Sequence, residues 1–506
     1  MKLYLKGHEY KYAVEQMLLT MFPAERPDFT EEAQGENENY GTVKLGYTGK
    51  FASATTVLTV NGVTARGNAR VSVEKLEDKY ETERLLQKIV KQSFYKAAVK
   101  ITGIHPVWGS LTGIRPAKLA ANMMEKGMTA GKVRLALRKE YGVYPERVKL
   151  CMEAAIKGME LKKSLDYNDI ALYVGIPFCP TRCAYCSFVS HSTEKSMKLI
   201  EPFLTALERE ITETGKIVKE LELNVRSVYI GGGTPTTLND VQLARVIDSL
   251  YENFDLKNME EFCVEAGRPD TINEAKLRVM KDRGVTRISI NPQTMSDTVL
   301  EAIGRRHTSQ AVLDAYALTR SVGFDVINMD LIAGLPTDTV EGFKATLDAL
   351  FELDPENITI HTLSLKKGTR ITLEGTPIPD EKAVGEMLNY AMEKLMAGGY
   401  MPYYLYRQKF MSGGFENIGW SKEGADSFYN IAIMEELCTI VAMGGGASTK
   451  LVAPHTGKIE RIFNAKYPYE YIDSIEKVVS AKGYISEFYK NEVLLYNGIW
   501  NRKDTD

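Results

Sequence analysis

Between about Asn168 and Ile371 the sequence repeats one pattern six times: a short apolar run, then a longer amphipathic stretch. The runs are ALYVGI, SVYIGG, EFCVEA, TRISIN, DVINMDLIAG and NITIHTL. Helical stretches such as KLIEPFLTALEREITETGKIVKELE and TVEGFKATLDALFEL separate them. Strands that alternate with crossover helices pair in parallel, so this pattern predicts one parallel sheet, curved or closed into a barrel.

The flanks read differently, and 506 residues exceed what one hydrophobic core organises. KLYLKG reads as a strand and YAVEQMLLTMF as an amphipathic helix. Tyr40 to Val73 is rich in Thr, Val, Gly and Asn, as antiparallel hairpins are. Glu77 to Leu165 carries helical stretches broken at HPVWGSLTGIRP and near Gly142. Beyond Gly375, helices are expected around Glu381–Ala397 and Ala465–Lys482, with irregular Tyr- and Gly-rich sequence between. The expected α/β organisation is an N-terminal α+β domain over 1–165 and a partial (β/α)6 barrel over 166–374. A smaller, mostly helical C-terminal domain over 375–506 would cover the substrate.

Bulk chemistry excludes several classes. A formal net charge of −3 gives no electrostatic case for nucleic acid or an acidic membrane surface. No stretch approaches the ~18 apolar residues that span a bilayer, and the N-terminal sequence does not read as a secretory signal. Three of the six cysteines fall within eight positions, which is no disulfide framework. A reducing, cytoplasmic setting is expected.

Those three cysteines carry the chemistry. The first unit ends YVGIPFCPTRCAYCSF, so Cys179, Cys183 and Cys186 stand as C-x3-C-x2-C directly after a strand. A loop this short can wrap three thiolates around one iron–sulfur cube, leaving one iron open. A zinc site completed by His191 is the rival, but zinc sites usually pair cysteines from two separate loops. Cys151, Cys263 and Cys438 have no such company and are expected as core or surface residues.

In a β/α barrel the functional residues gather where the strands end. The second run ends in Gly231-Gly232-Gly233-Thr234-Pro235, the third gives Glu265, and the fourth Asn291-Pro292-Gln293. The fifth supplies Asp330 and the sixth His361. Any one of these can be a helix cap or a turn former; five at one face are hard to assign to capping. Glu265, Gln293 and Asp330 suit hydrogen bonds to ribose hydroxyls and an amino group, and Arg305 suits a carboxylate.

The loop C-x3-C-x-aromatic-C, with Tyr185 as the aromatic, resembles the radical S-adenosylmethionine (SAM) superfamily. GIPFC, GGGTPT, Glu265, NPQT, IGR-H and MDLIAGLP together resemble the oxygen-independent coproporphyrinogen III oxidase family. LTGIRPAKLA, ITIHTLSLK and YNIAIMEE point to its branch of HemZ-type coproporphyrinogen dehydrogenases. The resemblance implies a radical SAM barrel and a 4Fe-4S cluster on Cys179, Cys183 and Cys186, where bound SAM is cleaved to an adenosyl radical. It further implies SAM contacts from Tyr173, Tyr185, Gly232, Gly233, Thr234, Glu265, Gln293, Arg305, Asp330 and Ile332. Ser364 and Ser448 stand where the family has further contacts, but differ from it in residue type.

The activity so implied is oxidative decarboxylation of two propionates of coproporphyrinogen III or a related tetrapyrrole. An electron donor such as flavodoxin or ferredoxin would serve it. Tyr403, Tyr404, Arg407 and Lys409, with Lys366 and Lys367, suit a greasy macrocycle bearing carboxylates. A solvated basic face explains the lysines equally well. The alternatives are a haem-binding chaperone on the same scaffold and a radical SAM methyltransferase acting on haem or another substrate. The chaperone's His-Asn motif is missing, since no His lies between His361 and His455.

Overall fold

The computed structural model describes residues 1–31, 39–76, 78–186, 191–192, 196–366, 369–408 and 412–494. They form two compact units. The first comprises residues 1–116, 122–152 and 413–415, and the second 117–121, 153–412 and 416–506. The segments 166–374 and 375–506 therefore share one unit.

The first unit holds a five-stranded sheet of β1 (Lys2–Lys6), β2 (Asp28–Thr30), β3 (Tyr40–Thr48), β4 (Phe51–Val60) and β5 (Val63–Ser72), in the order β2-β1-β3-β4-β5. The hairpins pair antiparallel across β3, β4 and β5. Alternate residues of β4, among them Ala52, Ala54 and Leu58, face a core shared with the helix Lys79–Thr102 through Ile89, Val90 and Phe94. Asp78 caps that helix by accepting from the Glu81 amide, and Gly103 ends it in the left-handed region.

In the second unit all six expected runs are strands. They are β6 (Asp169–Ile176), β7 (Asn224–Gly232), β8 (Glu261–Glu265), β9 (Arg287–Gln293), β10 (Val326–Ala333) and β11 (Asn357–Thr362). They lie side by side in sequence order, every neighbouring pair parallel. Helices such as Ile200–Glu220, Asp240–Asn253 and Val340–Leu353 make the crossovers.

The C-terminal region carries the expected helix Glu381–Ala397, while the second expected helix is broken at Ser474 into Pro468–Asp473 and Ile475–Phe488. The stretch read as irregular is instead largely ordered into sheet. β12 (Met401–Tyr406) and β13 (Asn417–Ser421) join antiparallel beside β11. β14 (Thr439–Gly444) pairs parallel with β6, and β15 (Ser448–Val452) and β16 (Ile459–Phe463) follow it as a meander. The eleven-stranded order is β12-β13-β11-β10-β9-β8-β7-β6-β14-β15-β16, an open barrel rather than a closed one. A run such as TIVAMG, buried along its whole length, has no alternation to mark it as a strand.

The β14 end of the sheet is fastened by a buried ion pair. Lys482 Nζ lies 2.9 Å from Glu210 Oε1, with both side chains fully enclosed. Glu210 also accepts from the Gly444 amide and from Asn464 Nδ2, each at 2.8 Å, and from the Tyr471 hydroxyl. Lys482 in turn donates to the Ala442 carbonyl. One carboxylate thus ties the crossover helix Ile200–Glu220 to β14 and to the C-terminal helices. Removing one partner strands a charge without solvent, which costs about 3–5 kcal/mol. Lys482→Met is therefore expected to lower the urea midpoint of this unit well beyond any surface lysine substitution. An unchanged midpoint would refute the assignment.

Candidate functional site

The C-terminal ends of the parallel strands surround a cavity of about 470 Å³. Cys179, Cys183 and Cys186 line it together with Tyr173, Tyr185, Gly232, Gly233, Thr234, Glu265, Gln293, Arg305, Asp330 and Ile332. All thirteen residues expected at the cluster and at SAM thus reach one hollow.

The cysteine loop is seated by ordinary packing and a few specific bonds. Ala184 and Tyr185 pack with Ile303, Ile332, Leu363 and Ile371. The Ala184 amide donates to the Ile303 carbonyl at 2.9 Å, and Cys186 turns back onto the Cys183 carbonyl at 3.2 Å. Arg305 Nη2 donates to the Tyr185 hydroxyl at 3.2 Å, and Nη1 donates to the Asn291 carbonyl. Burial works against the Arg305 charge, but the facing Tyr185 hydroxyl and Cys183 thiol more than offset it and hold the guanidinium ionised.

The glycine turn closes on the same loop. The Gly233 and Thr234 amides donate to the carbonyls of Ile176 and Phe178, each at 2.8 Å. The Thr234 hydroxyl donates to Cys179 Sγ at 3.5 Å. A Cβ on Gly233 would stand 2.5 Å from the Phe178 carbonyl oxygen and 3.0 Å from Cys179 Sγ, so only glycine fits there. Gly232, at φ +113°, needs glycine for its backbone conformation alone.

Glu265, at the end of β8, is enclosed. Burial pushes its carboxyl up to about 7, against a hydrogen bond from the Tyr229 hydroxyl and with the Asp330 carboxylate adding to the rise. Tyr229 stacks on Tyr429 at 4.4 Å and on Tyr173 at 6.2 Å between ring centroids. Beneath them a polar floor crosses three strands. Asn328 Nδ2 donates to Ser289 Oγ and Asp330 Oδ1, each at 2.7 Å, and Thr359 Oγ1 donates to Asn328 Oδ1 at 3.0 Å. His361 Nε2 lies 3.7 Å from Asp330 Oδ2.

Sequence reading missed Tyr229, Tyr429, Asn430, Ser289, Asn328 and Thr359, all of which line the cavity. The signal for the last three was present. Ser289, Asn291 and Gln293 alternate along β9, Asn328 and Asp330 along β10, and Thr359 and His361 along β11. Parallel strands covered on both faces are normally apolar throughout, so polar residues at every second position mark an interior face built for a polar ligand.

The remaining wall comes from the C-terminal region: Tyr404 and Tyr406 on β12, and Tyr429, Asn430, Ile433 and Met434 on the helix Phe428–Glu435. Ser364 and Lys366 also line the hollow. Three residues considered from sequence do not. Ser448 begins β15 and pairs with Phe463. Tyr403 sits at an irregularity in the β12–β13 pairing, where its buried ring packs edge-on to Tyr404 at 4.8 Å and its hydroxyl accepts from Asn430 Nδ2 at 3.1 Å. Arg407 is not among the lining residues; burial pulls its guanidinium down to about 10, opposed by the charge of Glu416. Cys263 is buried in β8, just as Cys151 and Cys438 are buried elsewhere. Lys367, Lys409 and the His191 side chain lie outside the described residues.

The residues fit an iron–sulfur cluster with a polar organic ligand. Three thiols from one loop share the hollow with a glycine turn that brings bare backbone to its wall. Gln293 holds a left-handed backbone at φ 68°, costly for a residue with a side chain, and its buried Oε1 has no partner. The buried Arg305 Nε is likewise unpaired. Orphaned polar atoms of this kind are rare in a finished interior and fit a bound molecule that would satisfy them.

Comparison with known proteins agrees with this geometry. Residues 173–350 match the family model described as the radical SAM superfamily. A protein of Bacillus subtilis, named oxygen-independent coproporphyrinogen-III oxidase-like protein HemZ, is 39% identical over 75% of this chain and 77% of its own length. The heme chaperone HemW of the same organism is 31% identical over 59% of this chain and 77% of its own length. Among solved structures, coproporphyrinogen III oxidase (HemN) from Escherichia coli superposes with a TM-score of 0.51 at 23% identity, covering 64% of this chain and 72% of that one. That likeness speaks for the fold alone. The strand order, the cysteine loop and the similarity over most of HemZ lead to one conclusion: the chain is a member of the radical SAM superfamily and, within it, of the oxygen-independent coproporphyrinogen III oxidase family in its HemZ-type branch.

Proposed function

We propose that the chain is a cytoplasmic radical SAM oxidoreductase that decarboxylates two propionates of coproporphyrinogen III, giving protoporphyrinogen IX for haem biosynthesis. The observation that carries the proposal is the single cavity, where three thiols, the ring of polar strand ends and a tyrosine-rich wall meet. Cys179, Cys183 and Cys186 would hold a 4Fe-4S cluster with SAM beside it, and together these supply an adenosyl radical able to take hydrogen from an unactivated carbon.

The chain's own residues bind and orient. Arg305, fixed to Tyr185 and the Asn291 carbonyl, presents its unpaired Nε to a carboxylate. Glu265 and Asp330 accept from ammonium and hydroxyl donors, and Gln293 offers its free Oε1. Tyr404, Tyr406, Tyr429, Ile433 and Met434 give an apolar wall for a macrocycle, with Asn430, Gln408 and Lys366 for its propionates. Each propionate would lose a β hydrogen atom to the adenosyl radical, its carboxyl as CO2 and one electron to an external one-electron acceptor, leaving a vinyl. A flavodoxin or ferredoxin is the class of donor that would prime the site.

The haem-chaperone reading has one point in its favour, the similarity to HemW proteins. Against it, among the described residues the C-terminal part of the wall offers Tyr, Asn, Ile and Met but no histidine, and His361, which does line the cavity, comes from β11.

Three outcomes are expected. Anaerobically reconstituted protein binds one four-iron cluster, seen as broad thiolate-to-iron absorption, and Cys183→Ala loses it; stoichiometric zinc without that absorption would refute the site. SAM affinity depends on pH through Glu265. Its accepting form is the carboxylate, populated above about 7, so below that pH each binding event must release a proton. Affinity then falls as pH drops, approaching about tenfold per unit. Glu265→Gln should flatten that dependence, and equilibrium dialysis between pH 6 and 8 measures it. Finally, reduced enzyme with SAM and coproporphyrinogen should yield 5′-deoxyadenosine, CO2 and a three-propionate intermediate by mass analysis. Tight haem binding without CO2 would favour the chaperone instead.

A further inference from the structure

The cysteine loop meets a second buried guanidinium that no part of the cofactor reading uses. Arg268 follows β8 in the sequence GRPD, is 2% exposed, and lines the cavity. Its Nε and Nη2 donate to Asp270 Oδ1 and Oδ2, both at 3.0 Å, in a two-pronged pair that fixes the plane of the fork. Its Nη1 donates at 2.7 Å to the hydroxyl of Thr181, which lies between the first two cysteines. That hydroxyl donates in turn to the Gly304 carbonyl at 3.3 Å, next to Arg305.

We propose that Arg268 is a positioning residue for the cluster loop. It pins the Cys179–Cys183 segment through Thr181, with Asp270 as its anchor, and sets a second positive charge beside the thiolates. The geometry distinguishes it from a solvated arginine. A buried cation is costly unless each of its donors is used, and here the fork is spent on one carboxylate while the remaining arm reaches the loop. The two guanidiniums divide the work along that loop: Arg305 holds it at Tyr185 and Arg268 at Thr181. His307, enclosed beside them with both ring nitrogens unpaired, is pulled down to about 4 by burial and by the Arg305 charge. It therefore stays neutral at working pH and leaves Asp270 to Arg268. Thiolate-bound clusters respond to hydrogen bonding and nearby charge, and a cation favours the more negative, reduced form.

The inference rests on the proposed cluster, so the wild-type control separates the two: if reconstituted wild type holds no iron–sulfur cluster, the functional reading fails and not this one. With wild-type cluster in hand, Arg268→Gln, Thr181→Val and Arg268→Lys are compared by iron release to a chelator and by a redox titration followed by electron paramagnetic resonance. Arg268→Gln and Thr181→Val are expected to release iron about tenfold faster, the factor that loss of one charge-assisted hydrogen bond brings. Arg268→Gln should also move the midpoint potential to a more negative value, whereas Thr181→Val leaves it in place and Arg268→Lys restores it. Wild-type release and wild-type potential in a folded Arg268→Gln would overturn the proposal. If that variant does not fold, wild-type iron release in Thr181→Val overturns it alone.

Discussion

The second unit depends on one buried carboxylate, Glu261. It accepts from Arg287 Nε at 3.0 Å, from the Ser427 hydroxyl and the Tyr429 amide at 3.1 Å, and from the Phe428 amide at 3.2 Å. Arg287 spends its remaining donors on the carbonyls of Ala425 and Asp426 and on Asn357 Oδ1. Both side chains are about 7% exposed. Burying two charges is expensive, and the arrangement is tolerable only because their hydrogen-bonding capacity is used so fully. The negative end sits at the first turn of the helix Phe428–Glu435, where free amides and the helix dipole favour an anion.

What that network fixes is the far wall of the cavity. β8, β9 and β11 are held to a helix that comes more than sixty residues later in the chain than the last of them. That helix then presents Tyr429, Asn430, Ile433 and Met434 to the strand ends. Tyr229 and Tyr173 stack against Tyr429, so the aromatic wall and the Glu265 carboxyl are positioned together. Glu210 and Lys482 do corresponding work on the other side of the sheet, where β14 extends the parallel array beyond β6. C-terminal structure is thus tied to the sheet on both sides through charges largely or wholly withdrawn from water.

The cavity wall itself holds unmet hydrogen bonding and backbone strain. In its wall, Gln293 Oε1 and Arg305 Nε are buried without a partner. Gln293 also carries a positive φ, directly after the register shift in the β9–β10 pairing. Such departures concentrate where a ligand is meant to complete the structure, because the scaffold can sustain a few kcal/mol of local strain and unmet bonding.

How much of this was legible in the sequence follows from how local each feature is. The six parallel strands, the cysteine loop and the marked strand ends come from patterns within single βα units, and a barrel places the end of each unit at one face whatever its flanks do, whereas Tyr173 and Ile332 were implied only by the family resemblance. The interior polar ladder of Ser289, Asn328 and Thr359 was equally present as an every-second-residue pattern, and the apolar character of the runs concealed it. The partners of β14, the broken helix at Ser474 and the choice of Tyr404 over Tyr403 or Arg407 as a cavity residue could not be read that way. Each depends on contacts between residues hundreds of positions apart, such as Glu210 with Lys482, whose energy exists only when both are desolvated in the same place. The sequence by itself therefore determined the parallel strands, the face at which they end and the three thiols at its mouth. Only the tertiary structure decided what encloses that mouth, because burial and not local propensity selects which distant side chains become its wall.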